Sequence, residues 1–164
     1  MSIKGAAWLV AYIGSIVAAN WMTTTFGLVP IGFGLAVTAG TFAAGAALIL
    51  RDAVQVTLGK VAVLAAIAAG IVVSYIVADP MIAVASALAF AASELVDFAI
   101  FTPLRARSIA RAVVISSVVS APVDTVLFLQ VAGFGVTWQA VLGQFLVKTA
   151  MALLIAAWLV RRPR

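Results

Sequence analysis

From Gly5 to Leu50 the chain carries no charged residue. At about 1.5 Å per helical residue, that run is too long for one crossing of a hydrocarbon core roughly 30 Å thick. The pattern therefore predicts two helices, separated around Met22 to Pro30, where Thr23, Thr24, Thr25, Gly27 and Pro30 gather residues that favour turns and helix starts. The first span is expected at about 6–22 and the second at about 28–50. Arg51, Asp52 and Lys60 then flank a short amphipathic stretch, and an uncharged third span at 61–78 is closed by Asp79 and Pro80. A fourth at about 81–102 is ended by Pro103, and the fifth and sixth follow at about 109–132 and 138–160. Pro122 interrupts the fifth and should kink or open it.

This pattern predicts an all-α integral membrane protein, a single six-helix transmembrane domain over 1–164, with a re-entrant or five-helix arrangement as the alternative. Composition points the same way. With 66% hydrophobic residues and a mean hydropathy of +1.27, a chain of 164 residues holds more apolar surface than a soluble core could bury. Neither His nor Cys occurs, which removes the common ligands of zinc and haem, thiolate nucleophiles and disulfides, so no metal and no cofactor is expected. No nucleophile with an adjacent base is visible either, and the chain does not read as an enzyme.

Charge sets the expected orientation. Six spans put Lys4, the 51–60 loop, the 103–111 loop and the C-terminal tail on one side, and nine of the ten Lys and Arg fall there, against Asp79 alone opposite. The positive-inside rule then places both termini in the cytoplasm. The net charge of +5 is scattered over short loops, which indicates anionic lipid headgroups as the partner and not nucleic acid. Span one carries Asn20 and Trp21 and no polar mature domain follows, so it is expected to be a retained helix and not a cleaved leader. Small residues recur four apart at Ala36, Gly40 and Ala44 and at Ala66, Gly70 and Ser74, a spacing read as close helix packing.

The tenth base, Lys148, lies inside a span, as do three acids, Glu94, Asp97 and Asp124. A charge near the bilayer centre costs roughly 2.5–3.5 kcal/mol on insertion scales, so such groups must face one another, water or a ligand. Helical spacing places Phe90, Glu94, Asp97 and Phe101 on one face of span four, Ser120, Asp124 and Phe128 on a stripe of span five, and Gln144 one turn from Lys148 on span six. One base against three acids leaves two surplus negative charges, which argues for a binding site and not only a structural ion pair. Carboxylates accept hydrogen bonds, amides do both and aromatic rings offer flat faces, so the inventory suits a planar ligand rich in N–H donors, such as a guanine-like edge, or an organic cation. The expectation from the residues is a small-solute transporter.

Four segments resemble a known family: Ser93 Glu94 Leu95 Val96 Asp97; Arg51 Asp52 followed by Gly59 Lys60; Ser120 to Phe128; and Phe145 Leu146 Val147 Lys148. They are similar to the queuosine precursor transporters, also called the VUT or vitamin uptake transporter family, and the likeness extends over the order and spacing of essentially all six helices. It implies a fold like that of vitamin-binding S components and import of 7-deazaguanines, such as 7-cyano-7-deazaguanine, across a bacterial inner membrane. Family positions would fall on Asn20, Arg51, Asp52, Glu94, Asp97, Asp124 and Lys148. With that resemblance, the expected binding set is Glu94 or Asp97 on the guanine-like edge, Phe90, Phe128 or Trp21 stacked on the ring, Asn20 and Gln144 as polar contacts, and Lys148 balancing Asp124. Arg51 and Asp52 are expected as an ion pair shaping a gate or a helix end. The alternatives are an S component driven by a separate ATPase module and a membrane assembly protein; the Ala- and Val-rich helix surfaces also suit a homo-oligomer.

Overall fold

The computed structural model describes residues 3–104 and 106–161; Arg105, Arg162, Arg164 and the side chain of Asp52 lie outside the described residues. The elements are α1 (Ile3–Phe26), β1 (Leu28–Gly32), β2 (Leu35–Thr38), α2 (Thr41–Leu58), α3 (Lys60–Val77), α4 (Pro80–Leu104), α5 (Ile109–Val131) and α6 (Trp138–Arg161). Expected spans three, five and six coincide with α3, α5 and α6 to within a residue or two, and α4 runs on through Pro103 to Leu104. Asp79, expected as a connecting charge, begins α4: its Oδ1 accepts from the backbone N–H of Met81 at 2.7 Å and of Ile82 at 3.2 Å, and Pro80 occupies the first turn, where no N–H donor is needed.

The second expected span is corrected. Residues 28–38 form an antiparallel hairpin, and α2 begins only at Thr41, running through Arg51 to Leu58. The stretch 51–60 is therefore not a loop, and Ala36, Gly40 and Ala44 do not share one helix. Gly27, Gly32, Phe33 and Gly34 all adopt positive φ, at 59°, 92°, 54° and 72°. Phe33 and Gly34 link the paired residues Gly32 and Leu35, and positive φ at both is the two-residue turn whose twist suits a hairpin. Pro30 has no N–H to give and Ile31 falls in a register shift, so β1 is a short, irregular strand.

The helices contact one another in the ring order α1, α3, α4, α5, α6, α2, with α2 closing back on α1. An apolar cluster of Tyr12, Val54, Val63 and Ala66 binds α1, α2 and α3. Ala66, Gly70 and Ser74 are buried along α3, and Gly70 meets Ile16 of α1 so closely that an added Cβ would lie 2.9 Å from its Cγ2. The hairpin packs on the bundle through β2, which lies on α6, and Val37, Thr38 and Ala39 are buried.

Two glycines set these contacts. A Cβ on Gly143 of α6 would lie 2.3 Å from the Ala36 carbonyl oxygen, and one on Gly40 would lie 2.0 Å from the Ala19 carbonyl oxygen. Both obstacles are backbone atoms and cannot rotate away. Gly143→Ala and Gly40→Ala should each lower the melting temperature of the detergent-purified protein, at a cost of about 1–3 kcal/mol for overpacking. Gly14→Ala, whose Cβ would meet nothing within 4 Å, should leave it unchanged.

Candidate functional site

The helix ring encloses a cavity of about 170 Å³ to which every helix contributes. Helix α1 presents Tyr12, Asn20 and Thr23; α2 presents Thr41 and Arg51; α4 presents Ser86, Phe90, Ser93, Glu94 and Asp97. Ser117, Ser120, Asp124 and Phe128 come from α5 and Gln144 and Lys148 from α6, while Thr38 of β2 joins the wall from the hairpin. The three- and four-residue spacing noted on the fourth, fifth and sixth spans is thus the geometry of three inward faces.

Lys148 is the polar centre of the α5–α6 wall. Its ammonium donates to the Asp124 carboxylate, to Thr125 Oγ1 at 2.9 Å and to Gln144 Oε1 at 3.4 Å. Three donors meet three acceptors, and a group only 12% exposed remains satisfied. That arrangement also orients the Gln144 amide, because an oxygen turned to Lys148 leaves Nε2 as the free donor. Gln144 is buried, and its Nε2 has no hydrogen-bond partner.

Across the cavity, the Arg51 guanidinium of α2 forms an ion pair with the Glu94 carboxylate of α4. Arg51 lines the cavity, and the expected Arg51–Asp52 pair lies outside the described residues, because the Asp52 side chain does. The charge count changes with it. Two bases now face three acids, and among the described residues Asp97 is the carboxylate that no hydrogen bond or ion pair engages.

Asn20 is buried and donates through Nδ2 to Ser74 Oγ of α3 at 2.9 Å, which holds it at the cavity wall. Phe128 is stacked on Phe134, ring centroids 6.3 Å apart at 25°. Trp21 is placed elsewhere: it is half exposed, edge-on to Phe26, and does not line the cavity. One helix position earlier, Asn20 takes the inward direction. Sequence reasoning missed Tyr12 and Thr23, although Tyr12, Asn20 and Thr23 recur at eight and three residues and so lie on one face of α1. It also missed Thr38 and Thr41, whose hydroxyls share a hydrogen bond of 2.9 Å, because the hairpin that presents them was not foreseen.

Removing one member of a desolvated ion pair leaves the other charge uncompensated. Lys148→Met and Asp124→Asn should each destabilise the protein by about 3 kcal/mol, the lower end of that effect, because Asp124 is 27% exposed. The double variant should recover most of the loss, and a double-mutant cycle on melting in detergent reads the coupling. Additive losses would show that the two groups do not act as a pair.

Among the described residues, four helices are long and apolar enough to cross a membrane: α1, α3, α4 and, over Val114–Val131, α5. Residues 77–161, more than half of the chain, match the family described as "Putative vitamin uptake transporter". No curated protein and no solved structure matches the chain. The matched stretch spans α4, α5 and α6, and so includes Glu94, Asp97, Asp124, Gln144 and Lys148. This multi-pass membrane protein, with a solute-sized cavity inside its helix ring, belongs to the vitamin uptake transporter family.

Proposed function

We propose that the chain imports a planar, N–H-rich solute of the 7-deazaguanine class, a queuosine precursor such as 7-cyano-7-deazaguanine, across a bacterial inner membrane. The observation that carries this reading is the pairing of a free carboxylate with aromatic walls: Asp97 has no partner among the described residues, and Phe90 and Phe128 line the same cavity. A guanine-like edge presents a ring N–H and an exocyclic amine side by side, and one carboxylate accepts both. The rings of Phe90 and Phe128 supply the faces for stacking. A cavity of about 170 Å³ suits a compact ring system, since an apolar cavity of about 150 Å³ holds benzene.

In this reading the whole chain is one bundle with six crossings and both termini in the cytoplasm. With Arg51 drawn into the cavity, eight of the ten Lys and Arg flank the side on which α2 meets α3 and α4 meets α5, and Asp79 flanks the other. The asymmetry still favours that orientation. Asn20 and Gln144 add polar contacts, and Arg51 and Lys148 hold Glu94 and Asp124 in place.

Ligand that binds the folded state at a hundred times its Kd stabilises by about 2.7 kcal/mol. Deazaguanines should therefore raise the melting temperature of the purified chain, where unrelated vitamins should not. Phe90→Ala and Phe128→Ala should each weaken binding roughly 5- to 150-fold, which corresponds to about 1–3 kcal/mol per lost stack. Absence of any shift across deazaguanines and purines would refute the substrate class.

A further inference from the structure

Among the described residues, the charged side chains lining the cavity are Arg51, Lys148, Glu94, Asp97 and Asp124. Arg51 is paired with Glu94 and Lys148 with Asp124, so these five described groups sum to one net negative charge, on Asp97. Asp97 stands three residues beyond Glu94 on α4, so both project from the same face of that helix. Apolar surroundings screen such a charge poorly, and enclosing it uncompensated is unfavourable. A second, independent feature points to a ligand: Gln144 is buried, its amide is oriented by Lys148, and Nε2 has no acceptor.

We propose that the cavity selects a planar monocation, a heteroaromatic ring bearing one positive charge such as a protonated amine, over a neutral ring of the same shape. The described lining carries a net charge of minus one. A monocation brings it to zero, whereas a neutral solute leaves the charge enclosed and a dication overshoots. The ligand also carries an acceptor, a ring nitrogen or carbonyl, that satisfies Gln144 Nε2. Selection follows from the charge of the whole lined space, so the cationic group need not touch Asp97 and the carboxylate remains available to an N–H edge. This inference rests on the uptake reading above and adds the charge of the substrate to it.

The test uses the full chain in detergent at neutral pH and compares binding within matched pairs: 7-aminomethyl- against 7-cyano-7-deazaguanine, and benzamidine against benzamide. The cationic member should bind more than tenfold tighter in each. Preference in the benzamidine pair with neither deazaguanine bound would sustain the charge inference and sink the deazaguanine reading. Equal binding of the two deazaguanines would do the reverse, and no binding by any of the four would overturn both.

Asp97→Asn and Asp124→Asn each bring the lined charge to zero through a different carboxylate, so both should reduce the cation-to-neutral ratio to within about threefold of unity. Because the ratio is read, a general loss of affinity for both members cancels. Replacing a balanced pair, Arg51→Met with Glu94→Gln, keeps the net charge and should keep the ratio. A ratio that survives in both carboxylate variants overturns the proposal.

Discussion

Apolar helices in lipid gain little from hiding their side chains from one another, because acyl chains are as apolar as leucine. What cannot be left to lipid is an ionised group, and among the described residues five of them surround one cavity. Their mutual neutralisation ties specific helices together: Arg51 with Glu94 joins α2 to α4, and Lys148 with Asp124 joins α6 to α5. Each of these pairs has a partner on the other side of a helix boundary, so shifting one helix along another would strand a charge. Close contacts at Gly40, Gly70 and Gly143 then fix how near the backbones approach. Charge sets the register and small residues set the distance.

The inward faces of α4, α5 and α6 were legible in the sequence for a physical reason. Polar groups in an otherwise apolar helix stand out against their neighbours, and the 3.6-residue repeat says which of them share a side. Glu94, Asp97, Asp124, Gln144 and Lys148 are all found where that repeat puts them. The same reasoning separates Asn20 from Trp21 only once the packing of α1 is known, because adjacent residues differ by about 100° and either could have faced inward. Asn20 finds Ser74, while Trp21 lies against Phe26.

The hairpin was not legible, since a short apolar run without charges reads equally as buried strand or helix. Its signals lie in Pro30 and in the closely spaced Gly27, Gly32 and Gly34, but Gly27 and Pro30 mark a break before a helix equally well. Within a membrane, unpaired strand edges are tolerated only where protein or water covers the backbone. Here β2 lies on α6, with Val37, Thr38 and Ala39 buried.

The hairpin in turn decides what the cavity contains. Had 28–50 been one helix, Arg51 would have ended it, at the depth of the headgroups. Because the strands consume residues 28–38, α2 starts at Thr41 and Arg51 lies about 15 Å along it, level with the cavity. From there it reaches Glu94 and takes one of the three acids out of play. Without that displacement Lys148 alone would face three carboxylates, and the site would hold two surplus charges instead of one. A strand pair on one wall of the bundle thus sets the electrostatics of the site through the register of the helix that follows it.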